Sequence, residues 1–250
     1  MTVESGGQAS SASTSVEPAI QIAGHDVVDL IGQRSLTEVM LLALDGELPS
    51  PGRTRVVDGI MVAIMDHGIT PSALVTRLVL DGAPESMSGA VAAGLLAVGS
   101  RFLGTIEDSA ALLERIVTGA ANGDLEASSR EELERLVAAG RRVPGFGHNL
   151  HGGGDPRVVP LFELTRGEGL AGSHVAAFEA LPPIVEQVVG KPLVPNAAGA
   201  VGAILVDLGY APADLRGFSL VARCAGLFSH AVEERRQPVA RQAWESFHRD

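Results

Sequence analysis

The sequence predicts an all-α protein. Three observations carry that prediction. Alternation of apolar and polar residues with period two is scarce, apolar residues instead recur at three- and four-residue intervals, and the periodic stretches are separated by glycine or proline. About ten helices are expected, with glycine at the joints.

Taken in order, residues 1–17 are rich in Ser, Gly and Ala and have no basic region leading into an apolar one. They read as a disordered lead, not a secretory signal. From Ile20 a short extended piece is expected to enter a short helix at Asp26. The next stretch is a well-marked helix. Ser35 and Glu38 form a capping box, Leu36, Val39, Met40, Ala43 and Leu44 recur at helical spacing, and Gly46 and Pro49 stop it. Val56, Ile60, Ala63 and Ile64 mark a second helix that ends at His67-Gly68, and Thr70 with Pro71 opens a third. "SMSGAVAAGLLAVGSRFLGT" is apolar on most sides and rich in small residues, which predicts a buried central helix near Ala90–Val98. Two amphipathic helices follow, the later one capped by Ser128 or Ser129. Beyond a glycine-rich loop the helix-loop rhythm continues to the last helices around Arg223 and His230.

Length and charge bound the function. A chain of 250 residues fits one large or two small domains. Acids outnumber bases 30 to 19, and the net charge of -11 argues against nucleic acid or an anionic membrane as partner. An anionic substrate then needs a local basic pocket. Cys224 is the single cysteine, so no intrachain disulfide forms and a cytoplasmic location is expected. No apolar run reaches the ~18 residues of a membrane span. No two histidines are spaced to ligate from one helix, so no metal is expected. Dinucleotide, phosphate-loop and nucleophile-elbow patterns are missing as well.

The richest stretch is "RRVPGFGHNLHGGGDPR", Arg141 to Arg157. Its glycines allow close backbone approach to a ligand. His148 is either a solvent histidine or a hydrogen-bond donor and general acid aimed at a substrate oxygen. Arg157 is either a surface residue at a helix start or a guanidinium that forks onto a carboxylate. His67 is explained by its helix end alone, where a protonated imidazole is favoured, or by sharing a pocket with His148. His151 has no assigned role.

Read together, "MVAIMDHGITPSA", "SGAVAAGLLAVGSRFLG", "VPGFGHNLHGGGDPR", "LVPNAAGAVGAILVDLGY" and "ARCAGLFSHAVEERRQ" resemble the citrate synthase superfamily. Within it they are most similar to the short bacterial citryl-CoA lyase-like branch and the lyase module of ATP-citrate lyase. The resemblance runs from about Ile20 to Gln237. It implies a large helical domain (18–104 and 206–250), a small one (105–205), a cleft between them and a homodimer or larger homo-oligomer. It implies a carbon–carbon bond made or broken between an acyl-CoA and an oxo-acid, with a coenzyme A thioester as substrate. His67 and His148 correspond to positions that hold the oxo-acid or its alcohol. Arg157 and Arg223 correspond to carboxylate-binding arginines. Phe146, Gly147 and Asn196 fall in segments expected to line substrate and CoA.

Three positions depart from the family pattern. Where an aspartate normally exchanges the methyl proton of the thioester, this chain has Ala198, and losing such a group typically removes about 10²–10⁴-fold in rate. Asp207, about 13 Å further along a helix axis, is not a substitute. Phe102 stands where citrate synthases carry a histidine in the loop after the central helix, a change the ATP-citrate lyase module shares. "HGGGDPR" has glycines where relatives have bulkier or basic residues, which removes a CoA phosphate contact. Three readings follow: a citryl-CoA lyase-like enzyme; a divergent enzyme on a carboxylate substrate that needs no methyl-proton exchange; or a non-catalytic ligand-binding homologue.

Overall fold

The computed structural model describes residues 14–16, 19–120, 123–147 and 154–246. The chain divides into two compact units, residues 1–58 and 59–250.

The first unit holds a small antiparallel sheet in the order β1 (Thr14–Val16), β2 (Ala19–Ile22), β3 (His25–Asp26). The disordered lead expected over 1–17 is corrected at its end. Thr14–Val16 pair with Ala19–Gln21, and the rest of that stretch lies outside the described residues. β2 turns into β3 through Ala23 and Gly24, both at positive φ (45° and 82°), the twist that a two-residue hairpin requires. Asp26 then caps α1 (Val27–Leu30) by accepting the Val28 N–H at 2.9 Å. α2 (Leu36–Asp45) starts on the expected capping box. Ser35 accepts the Glu38 N–H at 3.1 Å and Glu38 accepts the Ser35 N–H at 2.8 Å. Leu30, Leu41, Leu42, Val56 and Val57 are buried.

α3 (Pro51–Met65) carries the chain into the second unit. There follow α4 (Pro71–Gly82), α5 (Met87–Leu96), α6 (Ser100–Gly119), α7 (Leu125–Ala138), α8 (Val158–Gly167), α9 (Ser173–Val189), α10 (Ala197–Asp207), α11 (Leu215–Glu234) and α12 (Ala240–Ser246). The cap of α7 is Asp124, which accepts the Ala127 N–H at 2.8 Å, and not Ser128 or Ser129. Ser129 is buried inside the helix and Ser128 donates to the Ile116 carbonyl. A short carboxylate one turn earlier takes the orphan amides first.

The central helix of this unit is α10, not the Ala90–Val98 segment. On α10, Ala197 and Gly199 through Val206 are all buried, as a helix apolar on every side should be. α5 buries only Ala90 and Gly94 and leaves Leu96 86% exposed. Gly199 lets α10 sit tight, since a Cβ there would lie 2.4 Å from the Phe178 ring and 2.8 Å from the Gly145 Cα. Among the described residues no helix is long and apolar enough to cross a membrane.

Candidate functional site

The site begins where α3 ends. Asp66 follows the last turn, and its Oδ1 accepts the backbone N–H of His67 at 2.7 Å and of Gly68 at 3.2 Å. Gly68 sits at φ 68°, a left-handed conformation that lets the chain reverse, and Thr70 then caps α4 by accepting the Ala73 N–H. This turn presents His67 between two helices.

α11 supplies the other wall. Arg223, Gly226 and His230 recur at spacings of three and four and so share one face of it. A Cβ on Gly226 would fall 2.1 Å from the Met65 carbonyl oxygen, so glycine is what allows α11 to cross the end of α3 this closely. One turn further on, His230 Nε2 lies 2.9 Å from Asp66 Oδ1. Burial would raise the Asp66 pKa, but the His230 hydrogen bond and the His67 amide overcome it, and the carboxyl is held below its ordinary value.

Between the His67 turn and Arg223 lies a cavity of about 110 Å³, also lined by Thr70, Ser72 and Val98. Two residues that sequence alone singled out, far apart in the chain, therefore share one pocket. Arg223 Nε and Nη1 are buried with no hydrogen-bond partner among the described residues. Burial lowers the Arg223 pKa, the Asp66 charge opposes this, and the Arg157 charge adds to it. An arginine remains a cation under such pressure, so its buried N–H groups call for an anion. A larger cavity, about 250 Å³ and lined by Val159, Phe162, Arg166 and Pro182, contains none of the residues expected at the site.

Arg157 is already engaged. Its Nε and Nη2 fork onto Asp155 at 2.9 and 2.7 Å, and its Nη1 donates to the Ala63 carbonyl at 3.0 Å. The fork expected to grip a substrate thus grips Asp155. Asp155 in turn accepts the Ala197 N–H at 2.9 Å, which ties the Asp-Pro-Arg turn to the start of α10. Burial would raise the Asp155 pKa; hydrogen bonds from the Arg157 guanidinium and the two backbone amides outweigh it, and the carboxyl is held well below the usual carboxylate range. So strongly stabilised an anion is a poor base.

The remaining expected residues are placed as follows. Phe146 is buried, its ring 5.0 Å from that of Phe178, so its side chain belongs to the core. Gly147 donates to the Val194 carbonyl at 2.7 Å, and Asn196 Nδ2 donates to the Gly147 carbonyl at 2.8 Å. Asn196 Oδ1 also accepts the Gly199 N–H, capping α10. Ala198 is the second residue of that helix and is half-buried. Phe102 falls in the first turn of α6 and not in a loop. Asp207 takes the amides of Gly172, His174 and Val175, which caps α9 and excludes it as a replacement base. His148 and His151 lie outside the described residues. Among the described residues no group of three or more His, Cys, Asp or Glu side chains is set to hold a metal ion.

Asp66, His230 and Gly226 escaped the sequence reading as site residues. The available signals were the acid directly before His67 and a histidine seven residues after Arg223, on the same helical face.

A protein-family model described as "Citrate synthase, C-terminal domain" matches residues 33–243. A probable ATP-citrate synthase of Dictyostelium discoideum is 27% identical over 221 residues, 78% of this chain and 33% of that protein. A citrate synthase of Haloferax volcanii is 27% identical over 224 residues, 84% of this chain and 54% of that protein. The chain thus spans a third to about half of the length of these curated relatives. Among solved structures, citryl-CoA lyase from Hydrogenobacter thermophilus superposes with a TM-score of 0.81 at 29% identity, covering 91% of this chain and 86% of that one. ATP citrate lyase from Methanothrix soehngenii, in complex with citrate and coenzyme A, gives 0.76 at 19% identity over 90% of this chain and 38% of that one, a likeness of fold.

Proposed function

The chain belongs to the citrate synthase family, and on that premise we propose that it is a citryl-CoA lyase-like enzyme acting on a carbon–carbon bond between an acyl-CoA and an oxo-acid. One observation carries the reading: Arg223 Nε and Nη1 are buried at the cavity that His67 also lines, with no hydrogen-bond partner among the described residues. An arginine in this setting is built to receive a carboxylate. The likeness to a citryl-CoA lyase over most of both chains supports it.

In the cleavage direction a base takes the proton of the tertiary alcohol. The carbon–carbon bond breaks as the carbonyl of the oxo-acid forms, and its electron pair leaves as the thioester enolate. Arg223 anchors the carboxylate, and Arg157, held by Asp155, adds positive charge beside it. His67 and His148 are the groups assigned to the alcohol oxygen. Gly147 and Asn196 act through the backbone they fix, and Phe102 is the residue assigned to the thioester end. A coenzyme A thioester is the substrate, and no metal is expected.

Ala198 decides how the enolate proton is handled. No carboxylate replaces the missing one from Asp155, which is locked, or from Asp207, which caps α9. Turnover by the natural chain is therefore expected to be slow, and Ala198→Asp is expected to raise it by about 10²-fold. Half-buried at the second position of α10, residue 198 can accept an aspartate, which the helix dipole favours. The assay follows citryl-CoA loss, and separately condensation of acetyl-CoA with oxaloacetate. No turnover in either protein, with citrate still bound, would replace the lyase by a carboxylate-binding homologue.

The reading includes a large and a small helical domain, a cytoplasmic location and a homodimer. The dimer is supported by apolar residues that α5 and α11 leave outside, Leu96 at 86%, Val221 at 44% and Phe228 at 53% exposure. Sedimentation velocity is expected to show a dimer, and Leu96→Asp to dissociate it.

A further inference from the structure

We propose that Arg77, His230 and Asp66 form a fixed-tautomer relay that positions the His67 turn, with His230 as its central positioning residue. The functional consequence rests on the reading that His67 belongs to the substrate site; the relay itself does not.

Arg77, on α4, is 1% exposed. Its Nη1 donates to Glu234 Oε2 at 2.8 Å and its Nη2 pairs with Glu233. Nε and Nη2 also lie 3.2 and 2.8 Å from Nδ1 of His230. A guanidinium has donors only, so Nδ1 has to be the acceptor. The ring proton then sits on Nε2, aimed at Asp66 Oδ1, 2.9 Å away. Asp66 Oδ1 is the same atom that receives the His67 and Gly68 amides. A chain of donors thus runs in one direction, from the buried arginine through the imidazole to the carboxylate that shapes the turn.

Its anchoring is rigid. Glu234 also accepts the amides of Val239 and Ala240, fixing the segment beyond α11 to the same arginine. Gly226 brings α11 against the Met65 carbonyl and so sets the His230–Asp66 distance. The groups facing His230 are Arg77, Asp66 and Glu233, the last with its carboxylate 3.9 Å from Nδ1. Replacing His230 by an apolar residue would leave Arg77 and Asp66 each short of a partner. Glutamine at this position keeps an N–H for Asp66.

The test reads the relay directly. In the full chain labelled with ¹⁵N-histidine, long-range proton–nitrogen spectra report the tautomer, and His230→Gln identifies the His230 signals by their loss. The expected result is a proton on Nε2; a proton on Nδ1 overturns the proposal. In His230→Leu the backbone amide signals of His67 and Gly68 are expected to move, and in His230→Gln to stay close to those of the natural chain. Unmoved amides in a folded His230→Leu overturn it too. Titration with citrate adds a functional readout. His230→Leu is expected to weaken citrate binding about tenfold while His230→Gln stays within about twofold. Equal affinities in the two variants would contradict positioning through the donated hydrogen bond. If the natural chain binds no citrate, the proposed function fails, and the tautomer and amide shifts still decide the relay.

Discussion

Asp155 shows how much one side chain can be asked to hold. It is buried, takes two bonds from the Arg157 guanidinium, and reaches the first amide of α10. Asp155→Asn keeps the size and removes the charge, leaving Arg157 half-satisfied. Breaking a buried pair of this kind typically costs about 3–5 kcal/mol, and the partial exposure of Arg157 puts the expected loss near the lower end. Urea unfolding of the two proteins checks this; a loss under about 1 kcal/mol would show that the pair is marginal. Single residues were unevenly legible in the sequence. His67 stood out at its helix end, and Arg223 only through the family resemblance. Asp66 and His230 did not, because each looks ordinary until the fold brings them together across 164 residues. Arg157 was legible as a site residue, but its use on Asp155 depends on a turn geometry that spacing alone does not fix.

Elements set these distances. α11 reaches the end of α3 only because residue 226 has no side chain, and the obstruction a Cβ would meet is backbone, which cannot rotate away. Gly226→Ala is expected to destabilise the protein by about 1–3 kcal/mol in thermal or urea unfolding. It is also expected to weaken citrate binding, because Arg223 and His230 move with the helix. Unchanged stability and binding would mean that the crossing is looser than the structure shows. Helix existence was well marked in the sequence by capping boxes, prolines and glycine stops, and α2 follows that reading at both ends. The choice of central helix was not legible. Both small-residue segments are apolar on most sides, and only packing shows that α10 is enclosed while α5 keeps an outer face. The extended piece expected at Ile20 is β2, but its pairing with β1 and β3 was missed because the strands are two to four residues long and too short to show an alternation.

For the whole molecule, acidity is the controlling condition. Asp66, Asp155 and Asp207 each have a pKa lowered from the ordinary 3.8, so each binds its proton less readily folded than unfolded. Their contribution to stability is therefore complete above about pH 4 and is lost as pH falls through their folded values. Denaturation midpoints should be flat with respect to these groups at neutral pH and fall steeply in acid; a midpoint unchanged down to pH 3 would contradict this. The net charge of -11 also means that an anionic substrate needs a local positive field, for which Arg223 is the candidate because Arg157 is paired with Asp155. The measurement that tests the central claim most directly is citryl-CoA cleavage by the natural chain and by Arg223→Gln, side by side. Removing a buried charged partner of a carboxylate is expected to lower kcat/KM by about 10²-fold, with folding intact because Arg223 Nε and Nη1 have no hydrogen-bond partner to lose among the described residues. Equal activity in the two proteins would place the substrate elsewhere and contradict the account.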